Sequence, residues 1–512
     1  MAVNVVFMTF VVLVLPFTFD CVDDTNMMWR MAGYYFNSDF HTFYINVIYA
    51  WIEWKLYTLV PSVEWHTWLF LAVHCASLTA IGFSVVKTSN PLWAKLVLFL
   101  LVYCVEVFNL VHMQFTTTAG LAATAGMLLV VKDKKYGMGL LLFVLGSLIR
   151  FNAAMFCGLM TAALYPFAVL RHGFDRKQLG MLALCAAAGY ALHRVDVAVY
   201  MSDDYWKERY TYDMLRGKVY DNSNMWRVYS SSAEGITRED LDGMGGVYVP
   251  DWEWENREHI KGILSEEKLE RFLEVVEEQT AYKGIPGLKK VKNIPLQLSG
   301  FRLPFAIALF VIVACLLNSE QRKERIALLF GALCFPMILA YMALDVRLNF
   351  RAFFCGWMPL MLMASLLTPF KRKASWLCYV VASALMVQYT YNWMPESSPH
   401  SPKEKYRMQK ELVEIGKSQG ANYLFNWADV PLYAFGQRLP IQPYNLSDVT
   451  EMVDNDEYVV MSPKQEMEDC QSFLKTLLDR KDASLQVEFA ELCSNGTYVL
   501  FRLVSTHEDR SE

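Results

Sequence analysis

The sequence predicts an α-helical polytopic membrane bundle with a small C-terminal α/β domain. Of the 512 residues, 54% are hydrophobic and only 19% are charged, whereas soluble domains usually carry about 25% charged residues. The apolar residues are concentrated in blocks of roughly 17–23 residues, the length a helix needs to cross about 30 Å of hydrocarbon. Hydropathy gives about eleven transmembrane helices. They are residues 3–19, 67–87, 92–111, 114–131, 136–150, 152–170, 178–200, 301–318, 326–344, 352–369 and 376–393.

The charges in the loops predict the orientation of these helices. Lysine and arginine cluster in alternate short loops, and such loops face the cytoplasm in most membrane proteins. The basic loops lie at 87–95, 132–135, 171–177, 322–325 and 371–373. Because the number of spans is odd, the N-terminus is then cytoplasmic. The longer segments 20–66, 201–300 and 394–512 are extracytoplasmic.

Residues 394–512 are expected to form an extracytoplasmic domain that follows a transmembrane domain of residues 1–393. A Ser/Pro linker opens this segment, and helical and strand patterns alternate after it, as in small α/β layer domains. Helices are expected at 403–417 and 466–479, and strands at 422–425, 458–461, 485–489 and 498–504. In the outer segment 201–300, residues 265–280 predict an amphipathic helix capped by Ser265.

Three carboxylates follow the first span directly: Asp20, Asp23 and Asp24. Carboxylates at a membrane edge are costly to desolvate, so this cluster predicts a general base or a metal site. The alternative is a solvated end of the first helix. Adjacent helical residues point about 100° apart, so Asp23 and Asp24 cannot both face one substrate atom. Asp24 is the expected base because it lies farther from the first span, and the pair could also hold a divalent cation.

Cationic residues within or beside the spans are expected to bind substrate at the same outer face. Ionisable groups inside a membrane are functional candidates, and arginine suits bidentate binding of phosphate. The alternatives are internal salt bridges, such as Arg194 with Asp196, or snorkelling at the interface. The expected substrate-binding residues are Arg347, Arg351, Arg150, Arg194 and His193, together with the acidic residue Asp20.

The first outer segment carries a series of short motifs: Asp23-Asp24, Gly33-Tyr34-Tyr35, Asn46, Leu56-Tyr57, Pro61 and Trp65. In these motifs it resembles the first outer loop of the GT-C glycosyltransferases, polytopic enzymes that use polyprenyl-phosphate sugars. More closely, it resembles uncharacterised bacterial membrane proteins of that superfamily. The Ile149-Arg150 step, residues 115–120 and 236–240, and the C-terminal α/β segment are also similar. Thr25 and the Ser38-Asp39 pair depart from the pattern of the family.

The resemblance implies a GT-C-like fold and transfer of a sugar from a polyprenyl-phosphate donor to a glycan, lipid or protein acceptor. Asp23 or Asp24 would be the base, and arginines would hold the departing phosphate. Membrane lipid is the other expected partner, and no basic tract suggests nucleic acid. Two alternatives stay open: a transporter or flippase of lipid-linked sugars, and a non-catalytic scaffold of envelope assembly. No inverted repeat supports the transporter.

Two cysteines fall in the C-terminal segment, Cys470 and Cys493. An extracytoplasmic compartment is usually oxidising, so a disulfide between them is expected.

Cysteine labelling of intact cells tests the orientation. A cysteine placed in the Ser/Pro linker, residues 395–402, should react with an impermeant maleimide before the membrane is opened, because every basic loop lies on the other side. A cysteine placed in the basic loop at 132–135 is the control and should react only after permeabilisation. Protection of the linker cysteine in intact cells would contradict the predicted orientation.

Overall fold

The computed structural model describes residues 1–15, 18–19, 22–33, 38–222, 254, 265–280, 291, 294–345, 348–372, 374–393, 402–427, 442–443 and 449–506. The helices of the membrane bundle and its outer segments are α1 (Ala2–Val14), α2 (Val22–Ala32), α3 (Val47–Leu59), α4 (Trp65–Val86), α5 (Leu92–Val111), α6 (Phe115–Val131), α7 (Tyr136–Ile149), α8 (Phe151–His172), α9 (Arg176–Tyr200), α10 (Asp204–Tyr220), α11 (Glu266–Thr280), α12 (Ile294–Ser299), α13 (Arg302–Asn318), α14 (Arg322–Asp345), α15 (Phe350–Leu367) and α16 (Ser375–Asn392). Two short strands accompany them, β1 (Thr18–Phe19) and β2 (His112–Met113).

Ten of the eleven predicted spans match helices in the described part of the chain. The first, predicted at 3–19, is too long: α1 ends at Val14, and Thr18–Phe19 form strand β1. Among the described residues, six helices are long and apolar enough to cross a membrane: α4, α5, α8, α9, α14 and α15. Four shorter apolar helices accompany them, namely α1, α6, α7 and α13. The helix predicted at 376–393 is also present, as α16. The fold is therefore a polytopic helical membrane bundle, as the sequence predicts.

Helix α6 is the centre of the bundle. Every one of its residues is buried, and it contacts α4, α7, α8 and α15. Its sequence is rich in Ala, Gly and Thr, the small residues that let helix backbones approach closely in a membrane. Because α6 has 17 residues, it is about 25 Å long, and its burial means that neighbouring helices rather than lipid surround it.

Glycine allows the backbones of α6 and α7 to touch. A Cβ atom on Gly139 would lie 2.7 Å from the carbonyl oxygen of Gly126 and 2.6 Å from the Cγ2 atom of Val130. A Cβ atom on Gly146, two turns further along α7, would lie 2.7 Å from the carbonyl oxygen of Ala119. Any larger residue at these positions forces the two helices apart.

The C-terminal segment contains helices and strands, as predicted, and its two helices pack on opposite faces of the sheet. Its elements are α17 (Pro402–Ser418), β3 (Tyr423–Asn426), β4 (Gln442–Pro443), β5 (Tyr458–Pro463), α18 (Met467–Lys481), β6 (Val487–Ser494) and β7 (Tyr498–Ser505). The strand order is β4-β3-β5-β7-β6, with β7 antiparallel to both of its neighbours. Alternate residues of the strands face opposite sides of the sheet, so Val459 packs with α17 while Val460 packs with α18.

The expected disulfide between Cys470 and Cys493 is wrong. Both cysteines are free thiols. Cys470 is buried with Leu474 in the cluster beneath α18, whereas Cys493 packs against the cluster that α17 forms on the opposite face. The sheet between the two clusters keeps the sulfurs apart.

The amphipathic helix predicted in the second outer segment is present as α11. The Ser265 hydroxyl accepts a hydrogen bond of 3.3 Å from the Lys268 backbone N–H, which is the expected cap. Leu269, Phe272 and Val276 are buried along one face, as their spacing predicts.

Substitution of one glycine in α7 tests the close packing of α6 and α7. Gly139→Ala should lower the free energy of unfolding by about 1–3 kcal/mol, because the new methyl group overpacks the helix contact. Gly137→Ala is the matched control, since a Cβ atom there meets nothing within 4 Å. Thermal unfolding of the purified protein in detergent compares them. Equal melting temperatures for the two variants would contradict the packing described here.

Candidate active site

A pair of short strands places the acidic residues at one end of the bundle. Strand β1 pairs in parallel with β2, with Thr18 opposite His112 and Phe19 opposite Met113. This pairing brings the start of α2 next to the start of α6. Asp23 and Asp24 both lie in the first turn of α2, where the helix dipole favours negative charge.

Asp24 is enclosed in a buried network. Its Oδ1 atom accepts a hydrogen bond of 2.9 Å from the backbone N–H of Phe115 and lies 3.4 Å from His66 Nε2. The other ring nitrogen of His66, Nδ1, is 2.8 Å from Glu53 Oε1. The side chains of Asp24, His66 and Glu53 are each 0% exposed. Asp24 therefore joins α2 to α3, α4 and α6.

Asp23 points into different surroundings. Its Oδ2 atom lies 2.9 Å from Arg351 Nη1, and the two side chains are 11% and 27% exposed. The residues are 328 positions apart in the chain and meet where α2 and α15 begin. Of the two adjacent carboxylates, Asp23 is the one within reach of solvent, so the geometry favours Asp23 over Asp24 as the group that meets a substrate.

Arg150 stands at the break between α7 and α8. Its backbone is extended at this point, with φ −154° and ψ 103°. Its Nη1 atom donates a hydrogen bond of 3.1 Å to the Tyr44 carbonyl oxygen. The guanidinium also lies over the rings of Tyr44 and Phe115, at 5.0 and 5.3 Å from their centroids. These contacts fix the position of a charge that lines a cavity of about 110 Å³.

The cavity beside Arg150 is polar on several sides. His193 lines it while stacked on Phe151, with ring centroids 4.5 Å apart. Asp196 also lines it and accepts a hydrogen bond of 2.8 Å from the Val47 backbone N–H. The remaining polar side chains of its lining are Tyr44, Asn46, Ser147, Asn152 and Tyr210.

A buried ion pair that the sequence analysis did not single out lies close by. Arg216 donates to Asp213 Oδ1 through Nε at 3.2 Å and Nη2 at 2.9 Å, and both residues of this i,i+3 pair on α10 are buried. Burial raises the pKa of the Asp213 carboxyl, and the charge of Arg216 opposes that rise. The i,i+3 spacing of an acid and an arginine was the available signal.

The charged groups converge around Tyr44. Burial raises the pKa of the Tyr44 hydroxyl well above its ordinary value, and the charges of Asp213, Arg216, Asp23 and Arg150 all act on it. Residues from the first outer segment, the α7–α8 break and α10 therefore share one electrostatic environment. Arg351 contributes to the same electrostatic environment through its ion pair with Asp23.

The remaining predicted residues do not join this group. Arg194 is exposed on α9, and the described residues show no ion pair between it and Asp196. Arg347 and Asp20 lie outside the described residues. Asp23 and Asp24 bind different partners, which does not favour a cation shared by the pair. Within the described residues, no group of three or more His, Cys, Asp or Glu side chains could hold a metal ion.

No protein-family model matches the chain, and no curated protein matches it. Among solved structures, ArnT from Cupriavidus metallidurans bound to undecaprenyl phosphate has a TM-score of 0.36 and 10% sequence identity, covering 98% of this chain and 96% of that chain. The same protein in the apo state has a TM-score of 0.35 and 11% identity with the same coverage. Neither score is high enough to establish a common fold.

Removal of His66 tests the buried network. His66→Ala should destabilise the protein by about 3–5 kcal/mol, because it removes the ring that lies between the buried carboxylates of Asp24 and Glu53. A double-mutant cycle of His66→Gln and Glu53→Gln should give a coupling free energy of about 0.5–3 kcal/mol in thermal or denaturant unfolding. Simple additivity of the two substitutions would show that the pair does not interact.

Proposed function

We propose that this protein is a membrane glycosyltransferase of the GT-C type, which moves a sugar from a polyprenyl-phosphate donor to an acceptor at the outer face. The pairing of Asp23 with Arg351 carries the proposal. It places a carboxylate that is 11% exposed and an arginine that is 27% exposed 2.9 Å apart at one end of the bundle. The first outer segment, whose motifs resemble those of GT-C enzymes, supplies this carboxylate.

The two members of the pair suit the two halves of a glycosyl transfer. Arg351 would bind the phosphate of the donor, since guanidinium binds phosphate through charge-assisted hydrogen bonds. Binding of the phosphate would draw Arg351 away from Asp23. The Asp23 carboxylate would then accept the proton of the acceptor hydroxyl.

The bond changes balance in this scheme. The acceptor oxygen, as it loses its proton to Asp23, forms a bond to the anomeric carbon of the sugar. The bond between that carbon and the phosphate oxygen breaks, and the polyprenyl phosphate leaves with the electron pair. Arg351 stabilises the charge that develops on the leaving phosphate. The neighbouring charge of Arg150, in the polar cavity, would assist donor binding.

Asp24 has a positioning role in this scheme. Its carboxylate is held by Phe115 and His66 and is fully buried, so it orients the first turn of α2 instead of meeting the acceptor. Asp23 points about 100° away from Asp24 around the helix, so it faces Arg351.

Separate substitutions at Asp23 and Arg351 test the proposal. Asp23→Asn should lower the rate of sugar transfer from a polyprenyl-phosphate donor by about 10²–10⁴ while binding of polyprenyl phosphate persists, because only the base is lost. Arg351→Gln should weaken that binding by about tenfold or more, since a charge-assisted hydrogen bond is lost. Arg194→Gln, an exposed arginine on α9, is the matched control and should change neither quantity.

The outcomes separate the candidate functions. Wild-type transfer by Asp23→Asn would remove Asp23 as the base. If the wild type showed no sugar transfer while Arg351→Gln still weakened lipid binding, a carrier of lipid-linked sugars would fit better than an enzyme. Unchanged lipid binding by Arg351→Gln would contradict the role of this arginine. Size-exclusion chromatography of each variant shows that it is folded before its activity is compared.

A further inference from the structure

A second polar cavity lies at the opposite end of the bundle. It has a volume of about 380 Å³, and its lining includes Lys87, Asn90, Lys132, Asp133 and Arg171. The four helices α4, α6, α8 and α15 begin near Asp23 and end at this cavity. Since α15 alone runs 16 residues from Arg351 to Leu367, the two sites are separated by about 24 Å along its axis.

Two donors in the lining of this cavity are buried without a partner. Asn90 is 7% exposed, and its Oδ1 atom accepts from the Phe370 backbone N–H at 2.9 Å, while its Nδ2 atom is buried without a partner. The Nε atom of Arg171 is likewise buried without a partner. Asp133, the acid in the lining, is already engaged by Ser84 and Lys132. Buried polar groups are normally satisfied, so two orphaned donors in one cavity point to a missing acceptor.

The basic side chains around the cavity differ in whether their charges are already compensated. The C-termini of four helices each place about half a negative charge at this end of the bundle. Part of the positive charge in the lining compensates for these helix dipoles. Lys132 compensates for one of these dipoles, because its ammonium donates a hydrogen bond of 2.7 Å to the Ser84 carbonyl oxygen near the C-terminus of α4. Arg171 is paired with Glu324 at 3.1 Å. Lys87 is different: it is exposed, and no acidic side chain among the described residues forms an ion pair with it.

Like charges also crowd the cavity. Burial lowers the pKa of the Lys132 ammonium, the charge and hydrogen bond of Asp133 oppose this shift, and the positive charge of Lys87 adds a smaller lowering. An anion between these two lysines would relieve their repulsion.

We propose that this cavity binds a phosphate-type oxyanion, held by Lys87, Asn90 Nδ2 and Arg171 Nε. A phosphate group offers several acceptor oxygens, which is what these three donors lack. Basic pockets between transmembrane helices commonly bind the headgroups of anionic lipids, and a soluble phosphate has the same chemistry. The site shares no residue with the Asp23–Arg351 pair, so it does not rest on the proposed function.

Asn90→Asp tests this site with a nearly isosteric change. The variant keeps the acceptor for Phe370 but replaces the free donor with a charged acceptor. Affinity for the anion should therefore fall by about tenfold or more. Lys87→Gln should lower it about two- to fivefold, since an exposed charge contributes less. Lys135→Gln, an exposed lysine on the same end that does not line the cavity, is the control.

The full-length protein is studied in phosphatidylcholine nanodiscs, with and without phosphatidylglycerol, and in phosphatidylcholine with added inorganic phosphate. The melting temperature and lipid adducts in native mass spectrometry are measured, because a ligand that binds the folded state stabilises it. Stabilisation of the wild type and the control by phosphatidylglycerol, reduced in Asn90→Asp and Lys87→Gln, supports a lipid headgroup. The same pattern with inorganic phosphate supports a soluble anion.

Equal responses of the wild type, Lys135→Gln and Lys87→Gln to both anions would overturn the proposal. Lys87 lies at the surface, so its substitution keeps the test valid even if Asn90→Asp fails to fold. Sugar transfer is not a readout of this experiment, so its result is independent of the role of Asp23.

Discussion

The hydrogen bond from the Phe115 backbone N–H to the Asp24 carboxylate is the contact on which the candidate active site depends. The first turn of any helix leaves backbone N–H groups without intrahelical partners. In α6 this turn is buried, and an unsatisfied N–H within a membrane protein costs several kcal/mol. Asp24 supplies the acceptor from the first outer segment. The central helix and the acidic segment are thereby fixed relative to each other.

This constraint also determines what Asp23 can do. With Asp24 turned inward to Phe115 and His66, the next carboxylate around the helix faces the start of α15 and meets Arg351. Two adjacent acids thus acquire different roles from their surroundings alone. The buried one holds the helix. In the proposed function, the partly exposed one would exchange its partner when a phosphate competes for the arginine.

The bundle connects two polar ends through an apolar middle. Helix α6 is buried along its whole length, and glycines let α7 approach it closely. Helices packed this tightly behave as a rigid frame, because core side chains are close-packed and leave little room for adjustment. The same frame therefore positions Asp23 and Arg351 at one end and the Lys87–Arg171 cavity at the other.

The positions of most helices and of four strands in the C-terminal sheet followed from the sequence, because apolar blocks of membrane length and strand patterns are local signals. The order of the strands in that sheet did not follow from the sequence. The presence of acids and arginines at one end followed from counting the spans. The sequence did not determine which of Asp23 and Asp24 is accessible, nor that Asp213 and Arg216 lie beside Tyr44. It also suggested a disulfide that the sheet between Cys470 and Cys493 prevents. These outcomes depend on contacts between residues far apart in the chain, such as Asp23 with Arg351 and Asp24 with Phe115. Only the packed tertiary structure could decide them, since local patterns carry no information on which distant groups share a buried environment.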